Sequence, residues 1–597
     1  MTDTNDKLDF WNTDGSMPMN STQLSVKSVN NLDLSAGQNL EFVIDENTAD
    51  FINPKSSYLS FKVRIKLPAG VLPMRIGLDG QMGANCLLKD YRCYALKGNV
   101  LLDEITDMNV LVALKYDYES NQNIRNKRCL TEGCVDYSRE GRSTEGGRKS
   151  TLNNNQGNPY YRKVSAQTTS AVWDDDNFID AKVVLPINAG LGLWGQDKLL
   201  MVKQLGGLRL VWKLEDDKNV FRRLDTTNKF RNPYSNPVLY GSTNAGLNIA
   251  DASDITDFWI AKNNAMVNIS SLPFVVGQKI KMVQTGIGLG TMGRETTFTT
   301  KAGSSALTNG VIGTIAYDGT ANGGNGAIKV SFKEEQVVSG YGGVADDSVL
   351  FDCSLDIATD YKCTYTLSDA ELLLDKVDPP AELVAEMNQN MSEGKQGHVY
   401  DFHSFTNYKT NQSKSDRIAN LRLPINNTRC KSLLAVPLSA ELFTARQLLM
   451  CEDTYNIDDN VEEFVMNADR TAFTGISDRI SQYSIVYNNI QNPSEAVNVE
   501  KTSSRTSLDQ QDLHERINAL TMAGIEPLSL KAFNENFFIG RNLAKGRGSY
   551  NAQDKGDFNI QVEYNNSVVQ TANKLWCCYI AHVRRIIISP SGVSVDV

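Results

Sequence analysis

The chain has 597 residues, of which 41% are hydrophobic and 22% are charged, and its net charge is −10. This length is too great for one compact core, and the apolar content is too high for a wholly disordered chain. The acidic balance excludes a protein whose main task is to coat a phosphate backbone, because that task needs an excess of Lys and Arg.

No apolar run approaches the roughly 18 residues that a membrane-spanning helix needs, and the N-terminal residues lack the basic-then-apolar pattern of a signal peptide. We therefore expect a soluble protein without a signal peptide. The ten cysteines are sparse, and Cys577 is adjacent to Cys578, so reduced and buried thiols are expected.

The chain begins with a polar stretch, residues 1–34, which predicts an N-terminal arm. Strand periodicity follows. Leu40, Phe42 and Ile44 occupy every second position, and the same alternation runs over five repeats from Leu59 to Leu67. One buried face and one solvated face are typical of antiparallel sheets.

Further elements follow from periodicity, caps and turn residues. A helix is predicted at 110–114 after Asp107 as N-cap, another through Met387 after Pro379–Pro380, and a third from the capping box Ser507–Gln510 to Gly524. Residues 120–170 and 215–255 are predicted to be loops. Strands are predicted at 91–102 (around the turn Gly98–Asn99), 181–186, 208–214, 274–283, 328–332, 361–375, 418–425, 432–438, 558–564 and 574–589.

Two segments of the chain match each other at one constant offset. Residues 362–376 and the terminal segment 574–592 share a cysteine (Cys363 and Cys577), a tyrosine (Tyr365 and Tyr579) and an apolar triplet, each before a stretch that contains proline. This pattern predicts one β-domain built twice. We place the first domain at 35–390, with an inserted β-rich block at about 255–350, and the second at 391–597.

No catalytic, cofactor-binding or metal site is predicted. Gly288, Gly290 and Gly293 have the spacing of the dinucleotide-binding fingerprint, but β-branched residues follow where that motif needs a helix. The segment is therefore interpreted as a glycine-rich loop. The four histidines, His398, His403, His514 and His582, lack the spacing of a zinc site, and His582 is interpreted as a packed residue of the last strand.

Charged clusters are interpreted as solvated loops. The basic ones are Arg125–Arg128, Arg142–Lys149 and Arg222–Arg223, for which local contact with packaged nucleic acid or a partner is the alternative. The acidic runs Asp174–Asp176 and Asp458–Asp459 lack a twelve-residue calcium loop.

Many short strands separated by turns, with few helices, predict an all-β fold of sandwiches. Four segments also carry a family resemblance: Phe51–Ile65, Lys182–Leu214, Tyr365–Pro380 and Gly546–Gly592. Through them the sequence resembles the double jelly-roll major capsid proteins of the adenovirus and tailless-phage lineage, most closely those of virophages and polinton-like viruses.

The resemblance implies two tandem eight-stranded jelly rolls with large loop insertions. It also implies a non-enzymatic major capsid protein of the virion, whose homotrimers form pseudo-hexameric capsomers in an icosahedral shell around a DNA genome. The implied partners are neighbouring capsomers, penton proteins and minor or cement proteins, with weak inner-face contact to the genome. Two alternatives stay open: a carbohydrate-binding or carbohydrate-active jelly-roll protein, and a viral fibre or receptor-binding protein.

Overall fold

The structure is a computed structural model. Between residues 222 and 357 the structure describes only strands, and of these only the backbone. The described residues are 20–30, 33–66, 76–79, 81–121, 124, 127–128, 131–133, 178–220, 222–223, 238–240, 255–262, 265–266, 279–284, 288–289, 295–300, 311–318, 327–339, 349–350, 353–357, 364–392, 397–440, 473–477, 480–487, 490–491, 493–499, 510–528, 536–544, 548–553, 558–565, 570, 573–590 and 592–596.

The described residues of the first part of the chain include ten strands and two α-helices. The helices are α1 (Met108–Glu119) and the single turn α2 (Asp217–Val220). The strands are β1 (Asn20–Lys27), β2 (Leu34–Ser35), β3 (Asn39–Asp45), β4 (Phe51–Lys66), β5 (Ile76–Gly77), β6 (Leu88–Ala95), β7 (Val100–Ile105), β8 (Phe178–Pro186), β9 (Leu200–Met201) and β10 (Gly207–Leu214).

The described residues in the middle of the chain add eleven strands and then the long strand β22 (Thr364–Asp378). The eleven are β11 (Arg222–Arg223), β12 (Val238–Tyr240), β13 (Ile255–Lys262), β14 (Ala265–Met266), β15 (Lys279–Gln284), β16 (Gly288–Leu289), β17 (Glu295–Thr300), β18 (Val311–Asp318), β19 (Ala327–Ser339), β20 (Val349–Leu350) and β21 (Cys353–Ile357).

After β22 the chain forms helix α3 (Ala381–Ser392) and then the second set of strands, with helix α4 (Gln510–Met522) among them. These strands are β23 (His398–Gln412), β24 (Ile418–Leu423), β25 (Cys430–Ser439), β26 (Ile480–Tyr487), β27 (Ile490–Gln491), β28 (Val497–Asn498), β29 (Ile539–Asn542), β30 (Phe558–Tyr564), β31 (Lys574–Ser589) and β32 (Gly592–Asp596).

The strand order defines two jelly rolls. In the first, the sheets run β1-β22-β4-β8 and β3-β10-β6-β7; in the second, they run β23-β31-β25-β29 and β24-β30-β26-β27. We number the eight strands of these two paths from one to eight along the chain within each unit. In both units the first sheet then has the order first-eighth-third-sixth, and the second sheet has the order second-seventh-fourth-fifth. All of these pairings are antiparallel. This is the connectivity of a jelly roll, present twice. The predicted fold class is confirmed.

The two segments that match in sequence hold the same place in the two units. They form β22 and β31, the eighth strand of each jelly roll, paired between the first and third strands. Tyr365 and Tyr579 are both buried, and each hydroxyl donates to a backbone carbonyl, that of Glu215 at 2.5 Å and that of Asp107 at 2.7 Å. Cys363 lies outside the described residues.

Three sequence expectations need correction. Asn20–Lys27, placed in the polar arm, forms β1, in which only Leu24 and Val26 are partly buried and the strand signal is correspondingly weak. Within the predicted loop 215–255, the described residues include α2, β11 and β12. The ten-stranded sheet between the seventh and eighth strands runs from β12 to β21 and so extends beyond the predicted block 255–350.

The predicted helices are found with shifted ends. Asp107 precedes α1 as expected, but with φ +48° and no side-chain cap to the helix. Helix α3 continues past Met387 to Ser392, and Gly524, with φ +78°, follows α4. Of the capping box, 507–509 lies outside the described residues.

Each jelly roll has an aromatic core between its two sheets. In the first, the Trp212 ring packs against Phe42 at 5.9 Å and Tyr91 at 5.3 Å. In the second, Trp576 is fully buried and its Nε1 donates to Gln412 at 2.7 Å. A buried indole needs such a partner for its N–H.

Gly207 tests the packing of β10 against β3. It has φ +101°, and a Cβ there would lie 2.5 Å from the backbone oxygen of Ile44, which cannot move aside as a side chain could. We expect Gly207→Ala to lower the free energy of unfolding by about 3 kcal/mol or more, because overpacking adds to the cost of positive φ. Denaturant unfolding measures this.

Gly524→Ala is the matched control. It has φ +78° with no atom within 4 Å of the added Cβ, so only the backbone cost of about 1 kcal/mol applies. Equal losses in the two variants would contradict the described packing.

Candidate functional site at the contact between the jelly rolls

His582 is a packed residue of β31, as the sequence predicts. Its side chain is fully buried, and its Nε2 lies 3.0 Å from Thr406 Oγ1. Burial and the neighbouring positive charge of Arg584 lower the pKa of His582 to about 3. The imidazole is therefore neutral at ordinary pH.

The other histidines are spread over two elements. His398 and His403 lie on β23, where burial lowers the pKa of His403, and His514 lies on α4 beside Asn518, 2.9 Å away. Within the described part of the chain, no group of three or more His, Cys, Asp or Glu side chains could hold a metal ion. None of the described helices is long and apolar enough to span a membrane.

The remaining sequence candidates have structural roles or lie outside the description. Gly288–Leu289 is β16, which pairs with β17. The strand β17 follows the glycines, at the position where the dinucleotide motif requires a helix. Arg128 lies 3.5 Å from the Tyr116 ring centre and pairs with Glu132. Arg222–Arg223 is β11. The segments 142–149, 174–176 and 458–459 lie outside the described residues.

Side chains of both jelly rolls meet at a buried boundary, which we call the inter-roll contact. At its centre, fully buried Asp103, on β7, accepts hydrogen bonds from Ser404 Oγ at 2.6 Å and from the Leu193 amide at 2.9 Å. Burial raises the pKa of Asp103, and the positive charge of Arg584 opposes that rise. Arg584 also donates to the Leu101 carbonyl at 3.1 Å.

Asp107 joins the second jelly roll two residues beyond β7. Its carboxylate accepts a hydrogen bond from Asn407 at 2.8 Å and pairs with Lys409 at 2.5 Å, both on β23. Its backbone carbonyl accepts the hydroxyl of Tyr579 on β31. The side chain predicted to cap α1 therefore makes a contact between domains.

Asn536 connects α1 to the second jelly roll. Its Nδ2 donates to Asp117 at 2.6 Å, its carbonyl accepts the Tyr118 hydroxyl at 2.7 Å, and its Oδ1 accepts the Gly475 amide at 2.8 Å. The Tyr118 and Phe538 rings meet edge to face at 5.5 Å. Both side-chain polar atoms and the carbonyl of this fully buried asparagine are thus hydrogen-bonded.

A third set of bonds involves the segment before β9. The hydroxyl of Tyr400 donates to the Leu199 carbonyl at 3.0 Å and accepts from the Met201 amide at 3.2 Å. Lys198 donates to the Val399 carbonyl at 3.0 Å. Strand β23 is therefore held against the first jelly roll along most of its length.

Apolar burial continues across the same boundary. One hydrophobic cluster contains core residues of the first jelly roll together with residues of β23, β25, β31 and α4. Strand β31 is buried without interruption from Trp576 to His582. Its even residues Trp576, Cys578 and Ile580 belong to the second core, and its odd residues belong to the shared cluster, namely Cys577, Tyr579 and Ala581.

The chain is thus a double jelly-roll protein whose two units share a buried interface. In the comparisons, no family model and no curated protein matches. Matched solved structures include PBCV-1 VP54 fitted into a reconstruction of the virophage Sputnik (11% identity, 98% of this chain and 99% of that one, TM-score 0.45). They also include the Sputnik virophage structure (10%, 98% and 91%, 0.45) and the Faustovirus major capsid protein (9%, 97% and 92%, 0.43).

Removing Asn536 tests the inter-roll contact. Asn536→Ala leaves the Asp117 carboxylate and the Gly475 amide without this partner, and a buried polar group left unsatisfied costs about 1–3 kcal/mol. We expect a loss of about 3 kcal/mol in denaturant unfolding. Asn420→Ala, at an exposed position on β24, should change stability by less than about 0.5 kcal/mol. Equal effects would contradict the assigned role.

His582 gives a pH prediction. Its pKa is about 3 in the folded chain and 6.5 ordinarily, so between those values the unfolded chain binds a proton that the folded chain does not. Stability therefore falls as the pH drops below 6.5, by at most about 1.4 kcal/mol per pH unit. Between pH 7 and pH 5, the wild type should lose about 2 kcal/mol more than His582→Gln. Matching curves for the wild type and His582→Gln would contradict the buried, neutral state of His582.

Proposed function

We propose that this chain is a major capsid protein of an icosahedral virus, and that three copies form a pseudo-hexameric capsomer of the shell. The observation that carries the proposal is the repeated jelly-roll connectivity, with both units joined through one buried contact. A trimer of such chains presents six similar upright units, and six similar units can tile a surface hexagonally.

Rigid coupling of the two jelly rolls supports this role. A shell subunit has to present its two halves in one fixed relation, because each half contacts different neighbours. The hydrogen bonds of Asp103, Asp107 and Asn536 and the shared apolar cluster provide such a coupling. Contacts between domains that only touch transiently are smaller and more polar.

The domain division is part of the proposal. We place the first jelly roll up to about residue 390 and the second from 391 onward, with α3 in the connection. The ten-stranded sheet between β10 and β22 is a loop insertion at one end of the first jelly roll. Insertions at the ends of sandwich strands grow without disturbing the core, and in a capsid they face outward or contact neighbours.

The proposed partners are neighbouring copies of the capsomer, penton proteins and minor or cement proteins, with weak inner-face contact to the DNA genome. The proposed location is the virion, after assembly inside the host cell, and the proposed activity is structural and not enzymatic. Carbohydrate binding is less well supported, because the three tryptophans whose side chains are described, Trp194, Trp212 and Trp576, are all buried and offer no exposed aromatic platform.

Size-exclusion chromatography with light scattering tests the proposal. The expected mass is three times the chain mass of 66.0 kDa, and it should persist on dilution because permanent interfaces typically bury more than about 2,000 Å². Electron microscopy of particles containing the protein should place it throughout the shell. A monomer at high concentration, or a minor spike in the particle, would contradict the proposal.

A further inference from the structure

The sheet inserted between β10 and β22 leaves and rejoins the first jelly roll at one place. Tyr365, in β22, donates its hydroxyl to the Glu215 carbonyl at 2.5 Å and its amide to Asp217 at 3.1 Å. Glu215 directly follows β10, so the two ends of the insertion are tied together. Segments attached to a sandwich in this way lie at the protein surface, where binding functions are common.

The registers of the inserted sheet give it two faces of different composition. Phe258 on β13, Val330 on β19 and Ile315 on β18 are direct partners, so they share one face. The same face continues through Ile280 on β15 and Ile357 on β21. The next residue along each strand falls on the opposite face, because successive residues of a strand alternate. An antiparallel sheet with one apolar face buries that face and keeps the other solvated.

The opposite face, which we call the polar face, carries two adjacent aromatic residues. Tyr240 on β12 pairs with Trp259 on β13, and Trp259 pairs with Lys329 on β19. Directly opposite residues of neighbouring strands have Cβ atoms about 5 Å apart. The two aromatic residues are therefore neighbours in one row across the sheet.

A row of hydrogen-bonding residues lies beside the aromatic row. It consists of direct partners on β13, β19, β18 and β15, namely Asp257, Ser331, Thr314 and Lys279. These residue types carry carboxylate, hydroxyl and ammonium groups. The polar face thus combines an aromatic pair with donors and acceptors one row away.

We propose that the polar face of the inserted sheet binds glycans of neutral sugars, with Tyr240 and Trp259 as the stacking platform. A pyranose ring has an apolar C–H face, which the face of an aromatic ring attracts, and a rim of hydroxyls, which the neighbouring row can bind. This inference goes beyond the proposed function, because it assigns binding to the insertion and assembly to the jelly rolls. The described tryptophans of the jelly rolls are buried in their cores.

Charge favours a neutral ligand over a single-stranded nucleic acid, which also stacks on aromatic residues of a sheet. The registers place three basic and three acidic residues on the polar face, namely Lys279, Lys281, Lys329, Asp257, Asp318 and Asp356. A surface that follows a phosphate backbone needs an excess of Lys and Arg. The balanced charge of this face therefore fits a neutral glycan.

A glycan array probed with the whole chain tests the inference. We expect binding to glycans of neutral hexoses and N-acetylhexosamines, at an affinity that salt leaves unchanged, because salt screens charges and the ligand has none. Trp259→Ala and Tyr240→Ala should each bind at least about tenfold more weakly, as happens when an aromatic residue is removed from the centre of an interface.

Lys281→Ala is the matched control. Lys281 lies on the same face but three strands away from Trp259, on β15, so this variant should bind as the wild type does. Trp259→Phe keeps an aromatic residue in the pair and should retain part of the affinity, which separates loss of the platform from loss of the sheet. Circular dichroism confirms that each variant is folded before binding is compared.

A wild type that binds no neutral glycan on the array would overturn the inference. Tighter, salt-dependent binding of a single-stranded DNA oligonucleotide would overturn it as well, as would equal glycan binding by the wild type, Trp259→Ala and Lys281→Ala. The trimer mass is measured separately, so each of these outcomes leaves the proposed function standing.

Discussion

One strand of the second jelly roll has to be covered on both faces, and the rest of the architecture follows from this constraint. From Trp576 to His582 every residue of β31 is buried. A sandwich can bury only one face of each of its sheets, so the other face requires a further layer. That layer is the first jelly roll, together with α4, and for this reason the two halves cannot be treated as separate domains on a linker.

The polar groups at this boundary determine the relative orientation of the two jelly rolls more than they contribute to the stability of the fold. Burial raises the pKa of Asp103, so removing its charge from water costs free energy that Ser404, the Leu193 amide and Arg584 only partly offset. Hydrogen bonds, unlike apolar contacts, are directional and weaken steeply when the partners shift out of line. Asp107 and Asn536 act in the same way, and together they select one orientation of the two jelly rolls.

Much of the fold can be predicted because it follows local rules. Alternation along β3, β4 and β10 and the turn at Gly98 identify the first jelly roll, and the repeat of β22 in β31 identifies the second. Strand β1 escapes prediction because its outward face is polar and its inward face has only Leu24 and Val26. The inter-roll contact escapes it for a different reason. Asp103 and Asn536 are single polar residues whose partners lie far away in the sequence, and no periodicity marks them. Asp107 does carry a local signal, but that signal indicates a helix cap.

A density map of the purified protein by electron cryomicroscopy tests the central claim most directly. The buried contact predicts two jelly rolls per chain in one fixed relation, the same in every particle. Particles in which the two jelly rolls of a chain lie at variable angles to each other would contradict it.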